Sequence, residues 1–131
     1  MNFIIDSDIL IYFLKKDKNV TKKFSKINDE NIHTTIINYT ELLFGAYNSI
    51  KKEENIKRFK EFLNNLNILG FNKASAENFA QLKAELKQGG NIIADMDLMI
   101  AAICISNDFT LVTNNLKHFS RIKELKIKNW C

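Results

Sequence analysis

The sequence predicts an α/β fold in which a central, mostly parallel β-sheet is flanked by α-helices on both faces, an α/β/α sandwich. Short strand-like segments alternate with longer helical ones, which is the order of elements in parallel-sheet proteins. A length of 131 residues suits one domain, residues 1–131. The hydrophobic content of 46% and the charged content of 26% are values of a folded globular chain.

The first half of the chain holds three predicted strands and four predicted helices. Apolar periodicity places strands at residues 2–6, 33–37 and 68–71, and helices at residues 9–14, 21–28 and 38–50. A further amphipathic helix runs through residues 56–66, where apolar side chains recur at steps of three and four. We expect Asp8 to be the N-cap of the first helix and Ile50 to share the apolar face of the helix at 38–50.

The second half continues the alternation. Ser75, with Asn78 three residues later, resembles a capping box and predicts a helix that Gly89 and Gly90 end. Asp97 opens a nearly all-apolar helix to residue 106, which we expect to be buried on most sides. Residues 109–113 form the next predicted strand, and residues 126–130 form a last strand at an edge of the sheet.

Targeting signals are missing from the parts of the sequence that could carry them. The longest unbroken apolar run, residues 98–105, is far shorter than the ~20 residues of a membrane-spanning helix. The first residues lack a basic region and carry acids at positions 6 and 8, unlike a signal peptide. Cys104 and Cys131 show no metal-binding spacing and are expected to be reduced thiols. We therefore expect a cytoplasmic protein with no membrane association.

The net charge of +4 leaves a strongly basic surface if the central acids form one site. With Asp6, Glu41, Asp95 and Asp97 set aside, 11 acids remain against 19 basic residues, a net of +8. A basic rim around an acidic centre suits a polyanion such as RNA. Because 17 of the 19 bases are lysine, biased residue usage could produce the same surface, so the charge is weak support.

Polar groups from four separate segments should meet at one edge of the sheet. Asp6 ends the first strand, Glu41 follows the second strand near the start of its helix, and Asp97 opens the buried helix. Thr113–Asn115 follows a later strand. Ligand sites of parallel sheets lie at the carboxyl ends of the strands, where these residues are expected.

Converging carboxylates repel one another, and a divalent cation removes that repulsion. Hard oxygen ligands with water completing the shell suit Mg²⁺ or Mn²⁺. Asp95 and Asp97 lie about 200° apart on a helix, so one of them should bind the ion and the other support or cap. His33 and His118 have no partner at metal-ligand spacing, and we expect structural roles for both.

Four segments, kept in order, resemble those of one protein family: FIIDSDILIYFL, TTIINYTELLFGA, GGNIIADMDLMIAA and LVTNNLKHFSRIKELKIKNW. The first resembles the opening of PIN-domain proteins, where the first strand ends in an essential Asp. The second and third resemble the family segments that carry a Glu before leucines and an Asp before Ile-Ala-Ala. Together the segments span most of the chain and look most like the VapC toxins of toxin–antitoxin pairs.

The resemblance implies a PIN-like fold and a Mg²⁺- or Mn²⁺-dependent endoribonuclease with Asp6, Glu41 and Asp97 as catalytic metal ligands. Thr113 and Asn115 would orient ligands or substrate. Some relatives have Asp where Asn115 stands, and Asp95 is expected to compensate in part as a further metal ligand. The resemblance also implies a structured RNA substrate such as tRNA, a VapB-like antitoxin and a homodimer.

Asp8 stands where the family usually has Asn, so its role is open between a helix cap and a support to the metal site. Two alternatives to the nuclease also stay open. A haloacid dehalogenase-type phosphatase begins with a strand and Asp-x-Asp, but Ile9-Leu10 replaces the Gly/Thr-rich turn that should follow. A catalytically weak or inactive PIN-like module that only binds metal or RNA is the other.

Overall fold

The computed structural model describes residues 1–131 and has a five-stranded sheet at its centre. The strands are β1 (Phe3–Ile5), β2 (Ile32–Thr35), β3 (Asn67–Leu69), β4 (Thr110–Val112) and β5 (Ile127–Lys128). Their order across the sheet is β3-β2-β1-β4-β5, and every pairing is parallel. The predicted parallel sheet is confirmed.

Seven α-helices connect and cover the strands. They are α1 (Ser7–Leu14), α2 (Lys18–Ser25), α3 (Ile36–Tyr47), α4 (Lys52–Leu63), α5 (Lys73–Gln88), α6 (Asp95–Asn107) and α7 (Leu116–Phe119). A short 3-10 turn, Asp29–Asn31, precedes β2. None of the helices has both the length and the hydropathy to cross a membrane.

The central strand separates two hydrophobic cores. Successive side chains of a strand point to opposite faces. Ile4 accordingly packs with the core built from α5, α6 and α7, whereas Phe3 and Ile5 pack with the core that includes Leu10 and Leu63. Both faces of the sheet are therefore covered, as the α/β/α prediction requires.

Helix α6 is the most deeply buried helix. Leu98 and every residue from Ile100 to Cys104 lie in the interior, so the expectation from the apolar run is confirmed. Such a helix can expose polar groups only near its ends. Asp95 and Asp97 occupy its first turn, and they mark where the buried helix reaches the surface.

Strand order places β1 at the point where the chain reverses its direction across the sheet. The chain moves from β1 outward through β2 to β3, then crosses back to β4 on the other side of β1. Parallel sheets bind ligands at the carboxyl ends of the strands on either side of such a reversal. The residues that follow β1 and β4 are Asp6 and Thr113, so this edge is where a site is expected.

Two helix caps differ from the prediction. Asp6, not Asp8, caps α1, since its side chain accepts from the backbone N–H of Ser7. Asn72, not Ser75, caps α5 and accepts from the backbone N–H of Ser75. In each case the helix begins earlier than the sequence suggested, because a polar residue just upstream already provides the acceptor that the first turn needs.

Other boundaries also shift. Strand β2 ends at Thr35, whose hydroxyl caps α3, so Ile36 and Ile37 are helical instead of extended. Helix α3 ends at Tyr47, and Ile50 is fully exposed beyond it instead of lying on an apolar face. Helix α6 starts at Asp95, two residues before the predicted start. Helix α7 was not predicted at all, because four residues are too few to show periodicity.

Candidate metal centre

Asp6 is the buried centre of the acidic edge. Its side chain is 8% exposed and follows β1, whose ladder with β4 continues through the Asp6 N–H to the Val112 carbonyl at 2.9 Å. Oδ2 accepts from the hydroxyl of Thr113 at 2.8 Å, and Oδ1 accepts from the Ser7 N–H at 2.8 Å. Thr113, which lies 107 positions from Asp6 in sequence, and the adjacent Ser7 thus hold one carboxylate in a single orientation.

Asn38 provides a further donor to Asp6 and is completely buried. Its Nδ2 donates to Oδ1 of Asp6 and to Oγ of Ser7, both at 2.9 Å. Its Oδ1 accepts from the hydroxyl of Thr35 at 2.7 Å, which fixes the orientation of the amide. The sequence reasoning missed Asn38, although its position three residues before Glu41 on α3 could have suggested a shared helix face.

Ser7 links two of the predicted acids. Its hydroxyl donates to Oε1 of Glu41 at 2.9 Å while accepting from Asn38. Glu41 lies in the second turn of α3 and is half-buried. The residue between Asp6 and Asp8 therefore connects the end of β1 to α3, a role that the sequence reasoning did not assign to it.

Asp97 lies near these acids but has a partner of its own. Oδ2 of Asp97 is 3.0 Å from Nε2 of His118 in α7, and the two side chains are 30% and 22% exposed. The expectation that His118 lacks a carboxylate partner is wrong, because α7 brings it against the start of α6. His33 fits a structural role, with its ring packed on Phe109 at the other end of the sheet.

Asp8 ties down the loop after β4. Its Oδ1 accepts from the Ile9 N–H at 2.7 Å, and its Oδ2 accepts from the Asn114 N–H at 3.0 Å. The side chain of Asn129 in turn donates to Oδ1 of Asn114 at 2.9 Å. Asp8 therefore positions the loop that carries Thr113, which explains a carboxylate at this point better than the predicted cap does.

Thr113 and Asn115 differ in how they meet the site. Thr113 is buried and donates to Asp6, while its hydroxyl also accepts from the Asn115 N–H at 3.1 Å. The side chain of Asn115 is exposed and makes no hydrogen bond within the chain. Thr113 is thus a positioning group for Asp6, whereas Asn115 presents a free amide at the sheet edge.

Asp95 is the one predicted ligand that the structure does not bring to the other acids. Its Oδ1 pairs with Nζ of Lys83 from α5 at 2.9 Å, and its side chain is 60% exposed. Two residues along a helix turn the side chain by about 200°, so Asp95 and Asp97 leave α6 on different sides. The expected compensation for Asn115 by Asp95 therefore has no support in this geometry.

Burial and nearby negative charges disfavour the ionised forms of Asp6 and Glu41. Burial raises the pKa of Asp6 to about 6, and the negative charges of Asp8 and Glu41 add to the rise. Burial also raises the pKa of Glu41, with the charges of Asp97 and Asp8 contributing. Because neighbouring carboxylates disfavour the negative charges of Asp6 and Glu41, a cation at this edge would stabilise the ionised form of both side chains.

The carboxylate oxygens at this edge suit a divalent ion that keeps part of its water shell better than an ion enclosed entirely by protein ligands. No three carboxylate, imidazole or thiol groups stand close enough to ligate one ion by themselves. Mg²⁺ commonly takes one or two carboxylates and keeps several waters, and Mn²⁺ accepts the same oxygen ligands. The larger cavities of the molecule are not lined by Asp6, Glu41 or Asp97.

Comparison with known proteins identifies the family of the chain. The model of the PIN domain family matches residues 3–125 of the chain. That range contains Asp6, Glu41, Asp97 and His118, together with all of the groups that hold them.

Two curated relatives match over almost their whole length. The chain is 35% identical to ribonuclease VapC2 of Rickettsia felis, over 99% of this chain and 98% of the relative. It is 30% identical to the tRNA(fMet)-specific endonuclease VapC of Salmonella typhimurium, over 100% of this chain and 99% of that relative. A crystal structure of DNA-bound VapBC from Salmonella typhimurium superposes with a TM-score of 0.93 at 30% identity, covering 100% of this chain and 99% of that one.

Proposed function

The chain belongs to the PIN domain family and is similar to its VapC ribonucleases, and from this we propose that it is a toxin endoribonuclease that needs a divalent metal ion. In this proposal the enzyme hydrolyses phosphodiester bonds of RNA and is neutralised by a VapB-like antitoxin. The observation that carries the proposal is that Asp6 and Glu41 are joined by hydrogen bonds through Asn38 and Ser7, with Asp97 near Glu41, at the sheet edge where α/β proteins bind ligands.

Each of the three acids has a side-chain hydrogen-bond partner that orients it, which prepares it to face a cation. Thr113 and Asn38 orient Asp6, Ser7 orients Glu41, and His118 contacts Asp97. Groups that are fixed before the reaction do not have to reorganise during it. Such preorganisation is what a nuclease gains from this network.

Asp6, Glu41 and Asp97 would together hold a hydrated Mg²⁺ or Mn²⁺, with water supplying the ligands that the three carboxylates do not. When bound, the ion lowers the pKa of a coordinated water and neutralises charge that develops on the phosphate. Water forms the new bond to phosphorus, the bond from phosphorus to the leaving oxygen breaks, and the leaving oxygen takes up a proton. Oε2 of Glu41, which accepts no hydrogen bond from the chain, would accept the proton of the attacking water in this proposal.

RNA is the substrate class that the charge distribution favours. The acidic edge is a small part of a surface on which lysine is the main charged residue, and lysines attract the phosphate backbone. The free amide of Asn115, beside Thr113, would hydrogen-bond substrate in this proposal. We propose a structured RNA such as tRNA, the substrate named for the Salmonella typhimurium relative.

Exposed apolar side chains support the proposal that the chain binds protein partners. Phe44 and Tyr47 on α3 are 68% and 56% exposed, and Ile50 just beyond the helix is fully exposed. Large apolar groups at helical spacing on a surface mark interaction sites. A VapB-like antitoxin and a second copy of the chain are the proposed partners, and a basic antitoxin segment would fit over the acidic edge.

Induced expression of the chain tests the proposal. Wild-type chain should arrest growth and create new RNA ends, whereas Asp97→Asn should do neither while accumulating to the same level. Purified wild-type chain should cleave the same RNA with Mg²⁺ or Mn²⁺ and stop when a chelator is added. Cleavage that continues unchanged in both Asp97→Asn and Asp6→Ala would refute the assignment.

A metal-binding module without nuclease activity is the second candidate. The neutral Asn115 at the edge and the absence of three preassembled ligands favour it. It predicts that the chain binds Mn²⁺ but cuts no RNA and does not arrest growth. The expression experiment separates the two candidates directly.

A further inference from the structure

His118 makes the only hydrogen bond that reaches the Asp97 carboxylate. Nε2 of the imidazole lies 3.0 Å from Oδ2, and no other side chain or backbone group of the chain donates to either oxygen of Asp97. Oδ1 is therefore left free, and the carboxylate is held from one side only.

The chemistry of this contact fixes the role of Nε2. A carboxylate that binds a metal ion is ionised and can only accept hydrogen bonds, so in the proposed site Nε2 carries the proton that joins the two groups. A ring nitrogen that carries a proton has no lone pair to offer a metal ion. His118 in this arrangement acts on Asp97 and does not serve as a metal ligand through Nε2.

The position of His118 depends on the same loop that orients Asp6. Helix α7 begins directly after Thr113–Asn115, and the hydroxyl of Thr113 is bonded to Asp6. Buried Phe119 anchors α7 in the core beside His118, with the two rings 5.3 Å apart in an edge contact. The imidazole thus connects the loop after β4 to the first turn of α6.

We propose that His118 is a positioning residue, which through its Nε2–H holds the Asp97 carboxylate so that Oδ1 is presented to the cation at the acidic edge. This inference rests on the proposed metal-dependent function. Groups that hydrogen-bond a metal-ligating carboxylate set its orientation, and their loss commonly costs 10- to 100-fold in metal affinity. His118 also links Asp97 to the loop that orients Asp6, so the two acids keep a fixed relation.

Binding of Mn²⁺ alone, measured by calorimetry on the purified chain without RNA, tests the inference. His118→Ala should weaken Mn²⁺ binding by about tenfold. His118→Gln places a side-chain amide donor at a similar reach and should stay within about threefold of wild type. Lys117→Ala, an exposed neighbour on α7, is the matched control and should bind as wild type does.

A metal-free measurement keeps the inference separate from the nuclease proposal. Nitrogen-15 NMR of the imidazoles should show a proton on Nε2 of His118, and the His118 signals should shift in Asp97→Asn while those of His33 do not. Unchanged Mn²⁺ affinity in His118→Ala, equal loss in His118→Gln, or an Nε2 without a proton would each overturn the positioning role. If the NMR and Mn²⁺ results hold but no RNA is cut, the nuclease proposal fails and the role of His118 stands.

Discussion

Asn38 donates to Asp6 across 32 positions of sequence at 2.9 Å, and the amide that does so is fully buried. The same amide donates to Ser7 and accepts from Thr35, so one side chain satisfies three polar partners. A buried polar group that loses its hydrogen-bond partners destabilises the fold, because water cannot reach the group to replace them. The orientation of the acidic edge therefore depends on a neutral residue.

Asn38→Ala should destabilise the fold and reduce activity together. Removing the amide leaves Asp6, Ser7 and Thr35 short of a partner, so the free energy of unfolding should fall by about 2–3 kcal/mol. Urea denaturation measures this loss, and RNA cleavage by the remaining folded chain should also be reduced. Asn19→Ala, at an exposed position in α2, should change neither quantity. Full activity of folded Asn38→Ala would show that Asp6 needs no such support.

Glu41→Gln should abolish cleavage without unfolding the chain. The amide oxygen of Gln can still accept from Ser7, but the negative charge toward the metal is lost. We expect RNA cleavage to fall by about a hundredfold or more. Thermal unfolding should not move to lower temperature, because burial and neighbouring acids already disfavour the charge of Glu41. Activity close to wild type would remove Glu41 from the site.

Asp6 should make the metal-free chain less stable as the pH rises. Its pKa is about 6 in the folded chain against a usual value of 3.8, so between these values the folded chain keeps a proton that the unfolded chain has released. The free energy of unfolding then falls as pH increases, by about 3 kcal/mol from this group once the pH is above 6.

Asp6→Asn isolates this contribution, since the amide stays neutral at every pH. Urea denaturation in the presence of a chelator should find Asp6→Asn more stable than wild type at pH 7.5 and nearly equal to it at pH 4. An equal difference at both pH values would contradict the cause given for the raised pKa.

Asp95→Asn should leave metal binding and cleavage intact. Its carboxylate faces Lys83 on an exposed surface, where an ion pair contributes at most about 1 kcal/mol. Mn²⁺ calorimetry and RNA cleavage should match wild type, in contrast to Asp97→Asn. A large loss of Mn²⁺ affinity in Asp95→Asn would restore Asp95 as a ligand and revise the geometry of α6.

Hydrophobic periodicity was enough to predict the sheet and most helices. Consecutive apolar residues such as Ile4 and Ile5 point to opposite faces of a strand, which is typical of a parallel sheet covered on both faces, and the apolar run of α6 is typical of a buried helix. The edge that gathers Asp6, Glu41 and Asp97 follows from strand order. These features depend on patterns that are repeated over many residues, so they can be predicted from the sequence.

Contacts that depend on one side chain were harder to predict. Asp6 and Asp8 are both of a residue type that commonly forms helix N-caps, and only the start of the helix at Ser7 decides between them. Asn38 looks like any surface amide until α3 is placed against β1. His118 meets Asp97 only because a four-residue helix turns it toward α6, and nothing in the local sequence specifies that turn.

The pairing of β1 with β4 also sets the moment at which the acidic edge can exist during synthesis. Asp6 leaves the ribosome among the first residues, but Thr113 and His118, which orient Asp6 and Asp97, follow more than a hundred residues later. A fragment that stops before β4 lacks one neighbour of its central strand and the hydroxyl that holds Asp6. Translation therefore delays the assembly of this edge until nearly the whole chain has been made.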